Sequence, residues 1–291
     1  RGIEVTRAYA GTFLSALEMA GVSLTAMRVD EQRIARLDAQ TEAPAWPNAC
    51  SRPRTVALAI EPPAGLTKET HESEAASTTP QPRAAIERGF RMAAAALLEA
   101  KERLNALDQA VGDGDIGTSL MRGAAAASEV VEAQASASLG PAGLLHAIGV
   151  ALQKGMGGTS GPLYAVFFIR AAERLRAGNP QEAACWADAL EAGCAGISEL
   201  GSAEPGDRTM LDALVPASEA FRAALKGGQS IISALADSAH AAAQGARATA
   251  HMIARRGRAS YLGERALGNP DPGAEAVAVW LEALNQAARL H

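Results

Sequence analysis

Apolar residues recur every three or four positions through most of the chain after residue 83, which is the spacing of amphipathic helices. At the start of this region Ile86, Phe90, Leu97, Leu98 and Leu104 fall on one predicted helical face. The pattern predicts eight helices separated by glycine-containing loops: 84–105, 117–135, 141–154, 160–177, 180–197, 209–225, 229–254 and 273–290. Because alanine-rich helices can approach closely, we expect a mainly α-helical fold, an eight-helix antiparallel bundle.

The first 82 residues show a different pattern. Residues 3–20 predict a helix that ends at Gly21, and the alternation over 23–29 predicts a strand. One helix and one strand cannot bury a core, so we expect residues 1–40 to be the end of a larger α/β domain. Residues 41–82 are rich in Pro, Thr, Ser, Glu and Ala and predict a linker, with one short strand at 54–60. Residues 83–291 then form the second domain.

Composition narrows the classes of function. The 291 residues carry a formal net charge of −5 and only 4% aromatic side chains, which argues against a nucleic-acid partner. The chain shows neither a leader peptide nor an apolar stretch long enough to cross a membrane, so we expect a cytoplasmic protein. The three cysteines are an odd number without a CxxC pair, which predicts reduced thiols.

Candidate chemistry is densest between the first two predicted helices of the second domain. Asp108, Asp113 and Asp115 place three carboxylates within eight residues, beside several glycines. Carboxylate oxygens suit a hard cation such as Mg²⁺, and a cation relieves the repulsion between the acids. The following helix would direct free N–H groups at a phosphate held through the metal. The alternative is that Asp113 and Asp115 only cap this helix.

Three later loops carry further groups that suit phosphate or a nucleotide base. The loop 155–161 is rich in glycine and contains two hydroxyls, although it lacks the lysine of a Walker A motif. In the loop 201–212, Arg208 is a candidate to meet an anion and Met210 to pack on a base; the alternative is that this loop supplies only helix caps. The last loop, 257–273, contains Pro272, which suits the start of the last helix.

Taken together, the motifs GDGDIGTS, GGTSG, GDRTMLDAL-x-P and GRASYLGERALGNPDPG resemble the nucleotide-binding L domain of ATP-dependent dihydroxyacetone kinases. The resemblance implies an eight-helix barrel that holds ATP or ADP and two Mg²⁺ ions at one end. It implies metal ligation by Asp108, Asp113 and Asp115, with Arg208 stabilising charge on the leaving group. The nucleotide contacts that it implies are Ile116, Gly117, Thr118, Ser119, Gly158, Thr159, Ser160, Gly201, Thr209, Met210, Asp271, Pro272 and Gly273.

Residues 2–21 and the phrase at 44–47 resemble the end of the ketone-binding K domain of the same family. In this family the K domain carries the ketone on a histidine, and none of the five histidines here matches that position. The resemblance therefore implies transfer of the γ-phosphoryl of ATP to dihydroxyacetone, with this chain supplying the ATP-binding half and inactive alone. It also implies a homodimer for the full-length enzyme.

Two alternatives remain open from the sequence. The first is a relative with the same L domain and another acceptor, such as glyceraldehyde, a tetrulose or a fatty acid; the K-like segment disfavours the fatty acid. The second is a non-catalytic module that binds a nucleotide only to dock a partner. All three predicted metal-binding acids are present, which argues against loss of the metal site.

Overall fold

The computed structural model describes residues 28–39, 80–133 and 138–290. The chain divides into two compact units, residues 1–70 and 71–291. In the first unit, Asp30 begins helix α1 (Glu31–Leu37) by accepting a 2.8 Å hydrogen bond from the Arg33 N–H. The predicted helix at 3–20 and strand at 54–60 lie outside the described residues. Of the strand predicted at 23–29, only residues 28–29 are described, and they have no regular structure.

The described part of the second unit is helical and contains no strand. Its helices are α2 (Pro80–Val111), α3 (Ile116–Glu132), α4 (Pro141–Gly155), α5 (Ser160–Ala177), α6 (Ala183–Gly201), α7 (Leu211–Lys226), α8 (Ile231–Ala248) and α9 (Pro272–Arg289). Short 3₁₀ segments at Thr249–His251 and Arg258–Ala266 lie between α8 and α9. Within the described ranges, no helix has the length and apolar character needed to span a membrane.

The eight long helices form a closed ring. Each packs on the next in sequence, and α2 packs on α9 to close the barrel. Near the start of α2, Arg88 donates a 3.0 Å hydrogen bond to the carbonyl of Ala287 at the end of α9. Further along α2, Arg103 pairs at 2.8 Å with Glu275 in the first turn of α9, so these two helices run antiparallel. The mainly α-helical fold and the eight-helix antiparallel barrel predicted from the sequence are confirmed.

The alternating direction of the helices separates the loops into two sets. The α2–α3, α4–α5, α6–α7 and α8–α9 connections lie at one end of the barrel, which we call the site end. The α3–α4, α5–α6 and α7–α8 connections lie at the other end, which we call the plain end. All four loops that carry the predicted motifs therefore meet at the site end.

One core fills the barrel, and every long helix contributes to it. Leu104, Leu144, Ile148 and Leu175 have no exposed surface, and buried alanines from α8 and α9 complete the cluster. Three expectations need correction. Helix α8 ends at residue 248 rather than 254, and a short 3₁₀ segment follows it. Leu98 is 57% exposed, so it does not share the buried face of α2. Helix α2 also continues to residue 111 rather than 105, because apolar Val111 packs against buried alanines of the α8–α9 connection.

Candidate nucleotide and metal site

Three carboxylates gather where α2 gives way to α3. Asp108 lies in the last turn of α2 and is 9% exposed, whereas Asp113 lies in the loop and Asp115 is the residue before α3, both exposed. One oxygen from each carboxylate lies within 4.8 Å of the other two. Oxygen donors at this spacing are the chemistry that Mg²⁺ requires, so the residues present fit the predicted metal site.

The start of α3 is held by side chains of α2. The Asn105 Oδ1 accepts hydrogen bonds from the N–H groups of Gly117 at 2.7 Å and Thr118 at 3.3 Å. Asp108 Oδ2 accepts from the N–H groups of Asp115 at 2.9 Å and Ile116 at 3.2 Å. The expectation that these N–H groups are free for a phosphate is therefore wrong, because α2 already satisfies them.

The capping alternative does not describe this loop. The side chain of Asp115 makes no capping hydrogen bond to α3, although Asp115 stands at the capping position. The Asp113 carboxylate instead contacts the guanidinium of Arg258. Sequence reasoning missed the roles of Asn105 and Arg258. Asn105 could have been found from its place one helical turn before Asp108. Arg258 lies in the motif GRASYLGERALGNPDPG, which is far from Asp113 in sequence.

The glycine-rich loop between α4 and α5 is fastened to the first turn of α3. The Ser119 hydroxyl accepts a 3.1 Å hydrogen bond from the Gly157 N–H and donates to the Gly157 carbonyl at 3.3 Å. Gly158 has φ of +65° and open space where a side chain would point. Thr159 precedes α5, is exposed, and makes no capping hydrogen bond. Exposed backbone and hydroxyl groups therefore border the loop beside α3.

The loop between α6 and α7 is shaped by a buried carboxylate. Asp212, 4% exposed, accepts hydrogen bonds from the N–H groups of Gly206 at 2.5 Å and Thr209 at 2.7 Å. Met210 is the residue just before α7, and a Cβ built at Gly273 would lie 3.6 Å from the Met210 Cβ. The structure thus brings the predicted contacts of this loop against those at the start of α9, while Gly201 is exposed at the end of α6.

Arg208 is buried in the protein, with 1% of its surface exposed. Its guanidinium donates to the carbonyls of Thr249 at 3.3 Å, Ala266 at 3.2 Å and Asn269 at 2.7 Å. Its Nη1 is buried without a hydrogen-bond partner. Most of its donors are therefore committed to backbone, and only Nη1 remains for the predicted direct role at the leaving group.

Asp271 lies where the α8–α9 connection meets the start of α9. Its carboxylate accepts a 2.8 Å hydrogen bond from the Ala274 N–H, and its own N–H donates to the Thr249 hydroxyl at 2.7 Å. Burial raises the pKa of Asp271 from 3.8 to about 6, while the hydrogen bond from Ala274 and the charge of Arg208 act to lower it and Asp212 raises it. The half-buried carboxyl therefore interacts with the buried charges of Arg208 and Asp212 at the start of α9.

The fold and these loops define a closed antiparallel eight-helix barrel with a carboxylate cluster and a glycine-rich loop at one end. The DAK2 domain family matches residues 110–286, and the chain belongs to it. The chain is 40% identical over 289 residues to triokinase/FMN cyclase of Homo sapiens, covering 98% of this chain and 48% of that protein. It is 33% identical over 288 residues to D-erythrulose kinase of Mycolicibacterium smegmatis, covering 96% and 49%.

A third relative is matched over most of its own length. The chain is 38% identical over 188 residues to the ADP-binding subunit DhaL of the PEP-dependent dihydroxyacetone kinase of Escherichia coli, covering 65% of this chain and 89% of that subunit. The chain spans about half the length of the first curated relatives that it matches.

Solved structures agree with this assignment. The dihydroxyacetone kinase of C. freundii in complex with AMP-PNP and Mg²⁺ is similar with a TM-score of 0.59 and 31% identity, covering 89% of this chain and 42% of that chain. Its native form gives a TM-score of 0.57 and 29% identity, covering 89% and 43%. The resemblance to dihydroxyacetone kinases stated from the sequence is confirmed at the level of the domain family.

Proposed function

We propose that the barrel binds ATP with two Mg²⁺ ions at its site end and serves as the phosphoryl-donor half of a kinase that acts on a small ketose, dihydroxyacetone or a close relative. The observation that carries this proposal is the gathering of Asp108, Asp113 and Asp115 at the barrel end where the other motif loops meet. The C. freundii kinase bound to AMP-PNP and Mg²⁺ supports it.

The three carboxylates would hold the ions, which when bound neutralise charge on the phosphate oxygens. The exposed backbone at Gly158 and the hydroxyls of Thr159 and Ser160 would donate hydrogen bonds to the phosphates. Because the N–H groups that open α3 are occupied, contacts from Ile116–Ser119 would rely on side chains such as the exposed Thr118 hydroxyl. Met210, packed at Gly273, would lie against the base.

The acceptor would be supplied by a K domain. The relatives include kinases named for trioses, for 3,4-dihydroxy-2-butanone and for erythrulose, which share a short carbon chain with a carbonyl and hydroxyls. We therefore propose an acceptor of this chemistry, with dihydroxyacetone first. A tetrulose or glyceraldehyde is the alternative acceptor.

Titration calorimetry of ATP and ADP into the chain, with and without Mg²⁺, tests the donor half. We expect magnesium-dependent binding that Asp113→Asn weakens by at least about a hundredfold, more than loss of an outer-shell partner would. Asp188→Asn is the matched control, because Asp188 pairs with Arg174 and Arg222 on the barrel wall. Unchanged affinity in Asp113→Asn would contradict the proposed metal site.

A second measurement separates a kinase from a non-catalytic module. We expect the chain, mixed with a complete K domain of the family, to convert ATP to ADP in the presence of dihydroxyacetone, with erythrulose and glyceraldehyde compared in parallel. Magnesium-dependent binding without turnover on any of the three would favour the non-catalytic nucleotide-binding module.

A further inference from the structure

Residues 249–271, which we call the crossover segment, lead from the end of α8 to the start of α9. It contains two 3₁₀ segments and no α-helix, so many of its backbone N–H and C=O groups need hydrogen-bond partners other than those an α-helix provides. Two internal hydrogen bonds join its first and last residues, from the Gly268 N–H to the Ala250 carbonyl at 2.8 Å and from the Asp271 N–H to the Thr249 hydroxyl at 2.7 Å. Further contacts that fix its position come from Val111 and Asp113 where α2 ends, and from the loop between α6 and α7.

Two consecutive residues of that loop hold the crossover segment. The Asp207 carbonyl accepts a 3.0 Å hydrogen bond from the Arg255 N–H, and the Asp207 carboxylate lies 3.8 Å from the guanidinium of Arg255 and 3.7 Å from that of Arg256. These ion pairs involve exposed arginines and therefore contribute little to stability. The stronger link is therefore the neighbouring residue, Arg208.

The guanidinium of Arg208 joins both arms of the crossover segment at once. It donates to the Thr249 carbonyl on the first arm and to the carbonyls of Ala266 and Asn269 on the second. It is the largest fully buried side chain among the described residues, so water cannot readily replace it. Loss of a buried donor leaves its acceptors unsatisfied, which costs more than the bond itself contributes.

The crossover segment carries groups to two parts of the candidate site. In its middle, Arg258 contacts Asp113 in the carboxylate cluster. At its end, Asp271 caps α9 next to Gly273, which lies against Met210. A shift of the segment would therefore disturb the metal side and the nucleotide side of the site together.

We propose that Arg208 is a positioning residue, whose guanidinium fixes the crossover segment and thereby sets Arg258 at the carboxylate cluster and Asp271 at the start of α9. Arginine suits this role because its planar fork offers five N–H donors in a rigid arrangement. Its charge also favours the ionised form of Asp271, whose carboxyl is its electrostatic neighbour. The consequence for ligand binding rests on the proposed function, whereas the positioning itself does not.

Amide hydrogen exchange tests the positioning directly in the full chain. The reporters are the N–H groups of Arg255, Gly268 and Asp271, each of which is bonded across the segment or to its neighbours. We expect Arg208→Met to accelerate their exchange at least about tenfold beyond the acceleration of core amides. Leu175→Ala is the matched control, because Leu175 is fully buried near the plain end. Reporter exchange that changes no more than in this control would overturn the proposal.

The affinity for ADP with Mg²⁺ tests the consequence for the site. We expect Arg208→Met to weaken it about tenfold, Arg208→Lys to recover part of the loss, and Leu175→Ala to leave it unchanged. Affinity in Arg208→Met equal to that of the unaltered chain would overturn the link to the site. If Arg208→Met does not fold, the same comparison is made with Arg208→Lys. If the unaltered chain binds no ADP, the proposed function fails and the exchange result still decides the positioning role.

Discussion

The α5–α6 and α7–α8 loops at the plain end are held differently from the α6–α7 loop at the site end, although the α3–α4 loop at the plain end is tied to α2 by a 2.7 Å hydrogen bond from Arg83 to the Leu139 carbonyl. At the plain end, the α5–α6 loop is bridged locally by Asn179, whose side chain donates to Glu182 at 2.9 Å and accepts from the Gln181 N–H at 3.1 Å. The α7–α8 loop ends at Ser230, which caps α8 by accepting from the Ser233 N–H at 3.2 Å. At the site end, Arg208 instead reaches carbonyls 41, 58 and 61 residues away.

The difference determines how far the structural effect of a substitution extends beyond the loop in which it is made. A loop held by its own neighbours can change without moving the rest of the barrel, because its partners move with it. A loop held by distant segments transmits a change to each of them, and at the site end those segments carry the predicted ligand contacts. Substitutions at the site end should therefore alter ligand affinity, whereas comparable substitutions at the plain end should alter stability alone.

The largest effect is expected from Gly245→Ala, where α8 crosses the start of α7. A methyl group at this position would lie 2.0 Å from the backbone carbonyl oxygen of Asp212, so the helices must separate. We expect a loss of about 3 kcal/mol in the free energy of unfolding, at the upper end of the usual range for overpacking. Because Asp212 shapes the loop that precedes Met210, affinity for ADP with Mg²⁺ should fall as well. Urea unfolding and calorimetry measure the two effects.

The matched substitution at the plain end is Gly143→Ala in the first turn of α4. A methyl group there would meet only side-chain atoms of Leu139, at 3.3 Å and beyond, and a helical Gly→Ala change is otherwise favourable by about 1 kcal/mol. We therefore expect stability to be kept or raised, with affinity unchanged. Equal loss of stability in the two glycine variants would contradict the comparison of the two ends.

The same contrast between local and distant contacts explains which features could be predicted from the sequence. The helices follow from apolar spacing and the cluster of Asp108, Asp113 and Asp115 from closeness in the chain, since both depend on local pattern. The contact of Arg258 with Asp113 joins residues far apart in sequence, so no local pattern marks it. For Arg208, the sequence made the side chain a candidate to meet an anion and left a solvated helix end as the alternative, whereas the fold buries it against three carbonyls that only tertiary structure assembles.

The next effect concerns the buried charges of the site end and appears as a pH dependence. The pKa of Asp271 is about 6 in the folded protein against an ordinary value of 3.8, so the folded state holds the proton more tightly. The contribution of Asp271 to stability therefore falls as the pH rises from about 4 to about 6 and is constant above that. Arg208, which lowers the pKa, and Asp212, which raises it, are the charged groups that act on this carboxyl.

Asp271→Asn removes this titration and keeps an oxygen that can accept from the Ala274 N–H. We subtract the unfolding free energy of the unaltered chain from that of the variant. As the pH rises from 4 to 7, we expect this difference to increase by on the order of 1–2 kcal/mol. Urea unfolding at a series of pH values measures the difference. A difference that is flat across this range, or that declines with pH, would show that the carboxyl is not held in its protonated form by burial.

The smallest effect is expected at the plain end from Ser230→Ala, which removes the oxygen that caps α8. Loss of a helix cap of this kind costs about 1 kcal/mol, and Ser230→Asp should restore the capping oxygen and the stability. Because the partner of Ser230 is only three residues away, the change should stay within the first turn of α8. We expect the affinity for ADP with Mg²⁺ to stay within about twofold of the unaltered value, since the free energy of capping is not shared with the site. A larger change in affinity would mean that the two ends of the barrel are coupled through α8, and that the separation between locally held and distantly held loops does not limit how far a substitution acts.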